Sequence, residues 1–408
     1  MEKNSVFIKE FTALSDSIKS VDDALTSDVR FAYELGSPVI DIPMGAPGLA
    51  SGKVYEHYGW ESAGKSTYTM ECAKAFERFW KVNSVKQKRN YVVLWIEAES
   101  ALDKVRAKWM GCDVDSWMIM EADSIEKTEE TLLAILRKCV ENKTVCFIAW
   151  DTIAATPMAA EKIGESARMA NRASTVRSMF RKVVPLLGAT DSTLILVNQL
   201  NQNFEQNKAD ETPIPAIKFY ASVRARVTKR GEDRTITGTG DEITRGIISE
   251  IKFDKNKLIQ RGQKALVVID NEKGFQYLET SMNYLKKAKL ANIKGAGWTE
   301  LNVPVKPFSK DNKDPSAMDT IKFQGIDKLQ EIIDVKYPHV KDWIDYLIYL
   351  NYSTVSPLIK VKIITKIWDY EKYFFGVKKT TLTQQEKEVA SMLDEEEKKE
   401  DKKLAAEK

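Results

Sequence analysis

The stretch Gly59-Trp60-Glu61-Ser62-Ala63-Gly64-Lys65-Ser66 decides the fold of this chain. It matches G-x-x-x-x-G-K-[ST], in which the glycines let the backbone turn tightly and point its N–H groups at phosphate oxygens. The lysine then reaches the β- and γ-phosphates, and the serine hydroxyl binds Mg²⁺. Residues 53–58 have the pattern of a strand and residues 65–79 that of a helix. This context favours a phosphate-binding loop over a glycine-containing β-turn without a ligand.

The composition is ordinary for a globular protein. The chain has 408 residues, of which 43% are hydrophobic and 30% charged, and its net charge is +3. This length allows two or three domains. No run reaches the length of a membrane span, and the N-terminus lacks the apolar core of a signal peptide. We therefore expect a cytoplasmic protein with no membrane partner.

Histidine and cysteine exclude several kinds of site. The two histidines, His57 and His339, provide neither a histidine-based nucleophilic triad nor a histidine-rich metal site. His57 precedes the loop within the predicted strand, where we expect a structural role. The cysteines form no C-x-x-C pair, and buried reduced thiols are expected at Cys72, Cys112, Cys139 and Cys146. Any chemistry must rest on carboxylates, lysines, Mg²⁺ and backbone amides.

Polar side chains follow three predicted strands. From residue 53 onward apolar strands alternate with amphipathic helices, the pattern of a parallel α/β sheet, and the strands end in Glu99, Asp151 and Gln199. The carboxyl ends of parallel strands share the edge where ligands bind. Asp151 is the expected Mg²⁺ partner, and Glu99 the expected general base that polarises the attacking water. A solvated loop glutamate is the alternative for Glu99. Gln199 is placed to sense the γ-phosphate through one hydrogen bond.

Two irregular segments and a basic helix accompany these strand ends. Residues 156–166 follow Asp151, and residues 201–216 are nearly free of apolar side chains beyond Phe204. Long polar loops inside compact domains are usually functional or disordered. A predicted helix carries basic residues at three- or four-residue spacing: Arg168, Arg172, Arg177, Arg181 and Lys182. This row suits phosphate contacts, although a solvated basic face is the usual explanation.

Residues 35–299 resemble the RecA family of homologous recombinases, bacterial or phage-encoded. Six blocks occur in the family's order: the loop itself, IEAESALD at 96–103, WDTIAATP at 150–157, VNQ at 197–199, KFYASVR at 218–224 and KNK at 255–257. The resemblance implies an α/β fold with a RecA-type P-loop ATPase core, a mostly parallel central sheet, an N-terminal helical oligomerisation segment and a small C-terminal α+β or helical domain.

The domains that we expect are an oligomerisation segment at residues 1–36, the ATPase core with its DNA-binding loops at 37–278, a C-terminal domain at 279–380 and a charged tail at 381–408. The first carries one apolar helical stripe: Phe7, Phe11, Leu14 and Ile18. Residues 318–379 look helical, and we expect their many aromatic side chains to form a small core.

The resemblance also implies roles for individual residues. Those expected to hold ATP are Gly59, Glu61, Ser62, Ala63, Gly64, Lys65, Ser66, Thr67, Asp103, Arg106 and Gln199, with Ser66 and Asp151 on Mg²⁺. Those expected in catalysis are Glu99, Lys65, Lys255 and Lys257; the last two reach across to the γ-phosphate of a neighbouring subunit in this family. Phe219 and Lys218 are expected at the same interface. DNA contacts are expected from Met169, Arg172, Arg181, Phe204 and Lys208.

The chain departs from the family's pattern in three places. Arg106 stands where the family usually has an aromatic that stacks on adenine, and a guanidinium can stack as well. Ser174 stands where an arginine of the first DNA-binding loop falls. The second loop is short and has Pro213 and Pro215 where a pair of glycines is usual. We therefore expect altered nucleotide affinity and an altered second loop.

The sequence thus predicts an ATP-dependent recombinase that forms filaments on single-stranded DNA and pairs it with homologous duplex DNA. Its expected partners are both DNAs, further copies of itself, and single-strand-binding and loader proteins. Three alternatives stay open. They are a RecA-fold hexameric helicase or translocase, an ATP-gated recombination mediator, and a small-molecule phosphotransferase.

Overall fold

A computed structural model describes residues 29–45, 47–99, 102–162, 169–200, 212–236, 241–309, 317–376, 380–383 and 387. Residues 31–381 form one unit, whereas a second unit, residues 1–30 and 382–408, has only a few described residues. The apolar stripe predicted from Phe7 to Ile18 and nearly all of the predicted charged tail lie outside the described residues. The domain boundaries given above remain predictions.

Strands in the described residues are β1 (Ala32–Tyr33), β2 (Leu49–Ala50), β3 (Val54–Gly59), β4 (Asn90–Glu97), β5 (Met118–Glu121), β6 (Thr144–Asp151), β7 (Thr193–Gln199), β8 (Val223–Ile236), β9 (Glu242–Asn256), β10 (Lys264–Asp270), β11 (Gly274–Phe275), β12 (Asn292–Ile293), β13 (Trp298–Pro304) and β14 (Met318–Gln324). Nine of them form the central sheet, in the order β11-β10-β9-β8-β3-β7-β6-β4-β5. The run from β8 to β5 is parallel, and β9, β10 and β11 continue it antiparallel. The predicted mostly parallel sheet is confirmed.

Helices in the described residues are α1 (Pro38–Gly45), α2 (Lys65–Gln87), α3 (Lys104–Trp109), α4 (Ile125–Glu141), α5 (Ala159–Lys162), α6 (Met169–Thr190), α7 (Ile217–Tyr220), α8 (Tyr277–Lys287), α9 (Ile326–Val335), α10 (Val340–Ser353) and α11 (Pro357–Phe375). The predicted helix after the loop is confirmed as α2. Ser124 is the N-cap of α4, and its hydroxyl accepts a hydrogen bond from the Lys127 amide at 3.2 Å.

The sheet is covered on both faces because β6, at its centre, is apolar on both sides. Ile148 and Trp150 belong to a core shared with α4 and α6. On the opposite face Phe147 contacts Phe76 of α2, with ring centroids 5.6 Å apart. Burying both faces fixes the register of β6, so that Asp151 emerges at its carboxyl end.

Two segments differ from the sequence-based expectation. Glycine and proline punctuate residues 35–48, which in the sequence favours a connector without regular structure, but the segment contains α1, in which every residue from Pro38 to Met44 is buried. Pro38 lies at the helix start, where its missing N–H costs nothing, and Asp41 accepts hydrogen bonds from the amides of Leu35 and Gly36. Residues 318–324, predicted as helical, form β14, because Ile321 and Phe323 alternate into the interior against β13.

The aromatic residues of α10 and α11 pack with one another, as expected for a small core. Phe374 is fully buried and lies edge-on to Trp343, with ring centroids 5.0 Å apart. Tyr346 and Tyr370 complete the cluster at 6.0 and 6.4 Å from Phe374. Within the described residues, no helix is both long and apolar enough to cross a bilayer.

The expected burial of the cysteines is confirmed, and the surroundings of His57 agree with a structural role. All four cysteines are buried and free. His57 is fully buried, bonds Thr69 through Nδ1 at 2.9 Å, and stacks on Tyr68 with centroids 4.0 Å apart. Burial lowers the pKa of His57 to about 3, so this ring is neutral and structural.

Candidate nucleotide site

Four neighbouring parallel strands bring their carboxyl ends to one edge of the sheet. Gly59 of β3 pairs with Gln199 of β7, and Glu97 of β4 pairs with Asp151 of β6. A pocket opens at this edge, lined by Glu61, Ser62, Lys65, Ser66, Met70, Trp95, Glu97, Glu99, Leu102, Asp151, Thr152 and Gln199. The structure thus brings the loop and all three predicted strand-end side chains together.

The two glycines of the loop are required by close approach. A Cβ on Gly59 would lie 2.1 Å from the Val227 carbonyl oxygen. Gly64 has φ +96°, and a Cβ there would lie 2.7 Å from the Ile269 side chain. Any side chain at these two positions would push the loop away from its neighbours. The loop leads directly into the 23-residue helix α2. Amides at such a helix start have no intrahelical acceptor and suit phosphate oxygens.

Lys65 lies within this loop. Its Nζ donates to the Trp60 carbonyl oxygen at 2.7 Å, and only 8% of the residue is exposed. Burial lowers the pKa of Lys65, while Asp151, Glu61 and Glu99 oppose that shift. The Lys65 ammonium thus lies at a pocket that Glu61, Glu99 and Asp151 also line.

Asp151 and Ser66 supply adjacent oxygens. Burial raises the pKa of Asp151 to about 6, although a hydrogen bond from the Ser66 hydroxyl favours the ionised carboxylate. Hydroxyl and carboxylate oxygens are ligands that Mg²⁺ accepts, usually together with phosphate oxygens and water. These two residues therefore fit the metal site that the sequence predicts.

Glu99 lies at the mouth of the pocket between two donors. Its Oε1 accepts hydrogen bonds from Thr152 Oγ1 at 2.9 Å and from Gln199 Nε2 at 3.3 Å. No role was predicted for Thr152, although its position directly after Asp151 was the available signal. Glu97 was also missed as a lining residue; its carboxylate accepts from Trp95 Nε1 and the Glu99 amide.

Asp103 and Arg106 lie at the start of α3. Asp103 caps this helix, accepting a hydrogen bond from the Arg106 amide at 2.9 Å. The Arg106 guanidinium donates to Thr67 Oγ1 at 2.9 Å, next to the loop. Arg106 is therefore held close to α2, and its role at the adenine remains a prediction.

The residues predicted to contact DNA are only partly described. Phe204 and Lys208 lie outside the described residues, and of Met169 only the backbone, at the start of α6, is described. Arg172 donates to the carbonyl oxygens of Ile153, Ala154 and Thr156 at 3.2, 2.9 and 2.6 Å, and burial lowers its pKa. Arg181 is exposed. Arg172 therefore already holds the turn after β6, whereas Arg181 faces solvent.

The predicted interface residues lie at the other end of the parallel strands, where β3 and β8 begin. This end of the sheet is the amino edge, opposite the carboxyl edge that holds the pocket. Arg224 of β8 pairs with Glu56 of β3 on one side and with Lys255 of β9 on the other. Glu56 precedes Gly59 by three residues, so this row of paired residues lies roughly 10 Å along β3 from the phosphate loop. Lys255 Nζ donates to the carbonyl oxygens of Lys218 and Phe219 at 2.6 and 3.3 Å.

Phe219 and Lys257 face solvent at this amino edge. Phe219 is 64% exposed, although phenylalanine is usually buried. Lys257 follows β9 and is also exposed. These side chains and Lys255 therefore lie at the edge away from the phosphate loop of their own chain.

Comparison with known proteins agrees with this architecture. The family model described as RecA N-terminal domain matches residues 9–276. Protein RecA of Lactococcus lactis subsp. cremoris (strain MG1363) is 31% identical over 274 residues, which cover 65% of this chain and 66% of that protein. The chromosomal protein RecA of Lactococcus lactis subsp. lactis (strain IL1403) is 33% identical over 241 residues, covering 57% and 58%. The chain thus spans 66% and 58% of the lengths of these two relatives, less than two thirds of each. With more than half of its residues matched, the chain belongs to the RecA family.

Proposed function

We propose that this protein is an ATP-dependent recombinase, a DNA-stimulated ATPase that forms filaments on single-stranded DNA and exchanges its strands with homologous duplex DNA. The observation that carries the proposal is the division of charged groups between two sheet edges. Lys65, Glu99 and Asp151 lie at the carboxyl edge, and Lys255 and Lys257 lie at the amino edge. Family membership supports the same conclusion.

ATP is the proposed substrate of the carboxyl edge. Lys65 and the amides that begin α2 bind its phosphates, and Asp103 and Arg106, at the start of α3, are the proposed contacts of its base. Mg²⁺, with Ser66 and Asp151 as its ligands, supplies charge neutralisation when bound. Glu99, oriented by Thr152, accepts a proton from the attacking water. Gln199 donates to Glu99 in the pocket, and its proposed role is to sense whether the γ-phosphate is present.

The amino edge completes the site of a neighbouring copy. Lys255 and Lys257 stabilise the charge that develops on the transferring phosphoryl group, as an arginine finger does elsewhere. Phe219 and Lys218 lie beside them and contact the neighbour. A contact between two different edges of identical chains is heterologous, and repetition of such a contact generates a ring or an open helix. ATP in this arrangement joins subunits.

DNA binding is assigned to the segments that follow β6 and β7. Residues 201–211 come directly after Gln199 and Leu200. A movement of Gln199 would therefore shift the point at which this segment leaves β7. Phe204 and Lys208 are the proposed contacts there, and Met169, Arg172 and Arg181 those of the first segment. The exposure of Arg181 supports its part in phosphate binding. We also propose that the protein acts in the cytoplasm, with single-strand-binding and loader proteins as partners.

A strand-exchange assay tests the proposal. Circular single-stranded DNA and homologous linear duplex are mixed with the protein, with and without ATP. We expect joint molecules and nicked products only with ATP, together with phosphate release that single-stranded DNA stimulates. A duplex of unrelated sequence is the matched control. Absence of joint molecules under all these conditions contradicts the proposal.

The same reactions separate the alternatives. Closed rings in electron micrographs, with unwinding in place of pairing, would identify a hexameric motor. ATP binding that promotes DNA association without turnover or exchange would identify a mediator. Hydrolysis insensitive to DNA, with phosphate transferred to a metabolite, would identify a phosphotransferase.

A further inference from the structure

A buried carboxylate connects three strands in the middle of the sheet. Glu56 of β3 is fully buried, and its Oε1 accepts a hydrogen bond from Asn198 Nδ2 of β7 at 2.9 Å. Its other oxygen, Oε2, accepts from Arg224 Nε of β8 in an ion pair. Both oxygens are thus used, each by a different neighbouring strand.

The Asn198 side of this connection leads to the nucleotide site. Asn198 is itself fully buried, and its Oδ1 accepts a hydrogen bond from the Gln199 amide at 3.1 Å. Gln199 in turn donates its side-chain amide to Glu99 in the pocket. The Glu56 carboxylate therefore holds the strand end that carries the proposed phosphate sensor.

The Arg224 side leads to the amino edge. The Arg224 guanidinium lies over the Tyr58 ring, 4.4 Å from its centroid, and the Tyr58 hydroxyl donates to Asp254 at 2.5 Å. Arg224 is the direct neighbour of Lys255, whose ammonium is bound to the backbone of Lys218 and Phe219. One continuous series of contacts thus joins the pocket to the surface that the next subunit meets.

The chemistry of this carboxylate argues for a positioning role. A buried ion pair contributes little net stability, because removing both charges from water offsets their attraction. What such a group provides is geometry, since each of its partners must lie in one place to satisfy it. The arrangement would align two strand ends that belong to different sites.

We propose that Glu56 is a positioning residue that couples the Gln199 end of the nucleotide site to the Arg224–Lys255 surface at the opposite edge. Nucleotide bound at one edge then favours the arrangement of Lys255, Lys257 and Phe219 that receives the next subunit. This inference rests on the proposed function, because it concerns nucleotide-dependent assembly.

Glu56→Gln is the variant that tests it. A glutamine has the same shape but only one acceptor oxygen, so it cannot serve both Asn198 and Arg224. The matched control is Glu250→Gln on β9, which also removes a strand carboxylate bonded to an arginine, Arg230, but lies outside the connection. Both are measured in the full-length chain with a non-hydrolysable ATP analogue.

Two readouts are compared, analogue affinity of the dispersed protein and the protein concentration needed for half-maximal assembly on single-stranded DNA. For Glu56→Gln we expect the assembly midpoint to rise about tenfold, within the usual range of coupling between sites, while affinity changes less than about threefold. Glu250→Gln should change neither. An unchanged midpoint in Glu56→Gln, or a loss of affinity equal to the loss of assembly, overturns the inference.

A second variant covers the case in which Glu56→Gln folds poorly. Glu56→Gln/Arg224→Met removes both charges of the ion pair and leaves no unpaired ion, so the fold should survive. A positioning role predicts that this stable variant still assembles poorly, and a purely structural role predicts that assembly recovers with thermal stability. Recovery of assembly in this double variant therefore refutes the positioning role of Glu56 but leaves the proposed function intact. Wild-type protein that fails to assemble with the analogue refutes the proposed function as well.

Discussion

In the proposed mechanism Glu99 takes part in both chemistry and sensing. Its Oε1 accepts from both Thr152 and Gln199, so the proposed base and the proposed sensor share a single oxygen atom. A glutamine at this position can still accept both hydrogen bonds, but it cannot take a proton from water. Turnover and sensing should therefore separate at this residue.

Glu99→Gln should lower the rate of ATP hydrolysis by about 10²- to 10⁴-fold, the usual contribution of a general base. Nucleotide-dependent assembly on DNA should remain, because the hydrogen bonds to Thr152 and Gln199 persist. Phosphate release and electron microscopy provide the two measurements. Glu121→Gln, at the exposed end of β5, is the control. Unchanged turnover in Glu99→Gln would remove Glu99 from its assigned role.

Arg172 and Arg181 belong to the same helix but lie in different surroundings. Arg172→Ala should lower thermal stability, because three carbonyl oxygens lose their donor. Arg181→Ala should leave stability unchanged and weaken single-stranded DNA binding, reducing the slope of log affinity against log salt by about 0.7. Thermal melts and salt titrations distinguish the two. A normal melting temperature in Arg172→Ala would show that those hydrogen bonds contribute little.

At the scale of elements, the loop is shaped by its neighbour β8 as much as by its own sequence. Gly59 lies against the Val227 carbonyl oxygen, and Gly64 lies against Ile269 of β10. The phosphate loop is therefore held by β8 and β10, two strands that come much later in the chain. A substitution there should affect both folding and nucleotide binding.

Gly59→Ala should destabilise the fold by about 1–3 kcal/mol, because its Cβ would meet backbone that cannot move aside. Nucleotide affinity should fall with it. Gly231→Ala, in β8, provides the control, since a Cβ there meets nothing within 4 Å. Chemical denaturation and nucleotide titration measure both effects. Equal stabilities of the two variants would contradict the close approach.

The features that could be predicted from the sequence are those with a local signal, namely the apolar strands and the polar residues at their ends. The strands β4, β6 and β7 are continuous apolar runs, and the polar side chains at or just after their ends mark the pocket without any knowledge of tertiary contacts. The hairpin of β8 and β9 was not anticipated, because its polar positions are satisfied across strands, as in Arg230–Glu250 and Arg245–Asp233. Such pairs are far apart in sequence. Likewise, nothing near Arg172 indicates that its guanidinium bonds the turn after β6.

At the scale of the whole molecule, the proposed site is divided between two copies of the chain. Lys65→Ala removes the phosphate-binding half, and Lys255→Ala/Lys257→Ala removes the half given to the neighbour. Each variant alone should hydrolyse ATP poorly. Mixed in equal amounts they should regain about a quarter of wild-type activity, because random heterologous contacts join intact halves at one site in four.

This complementation is measured as phosphate release in the presence of single-stranded DNA, with each variant alone at the same total concentration as the control. A mixture no more active than its components would mean that the site is complete within one chain. It would also exclude Lys255 and Lys257 from the site of a neighbouring copy.

The separation of the two edges has a kinetic consequence for the proposed filament. One end presents a phosphate loop that no neighbour covers, and the other presents Lys255, Lys257 and Phe219 with no nucleotide to contact. Nucleotide at the first end can exchange with solvent, whereas every internal nucleotide is enclosed until it is hydrolysed. Protomers should therefore join and leave the two ends at different rates. The polymer would then grow and shorten with a direction, set by the fold of a single subunit.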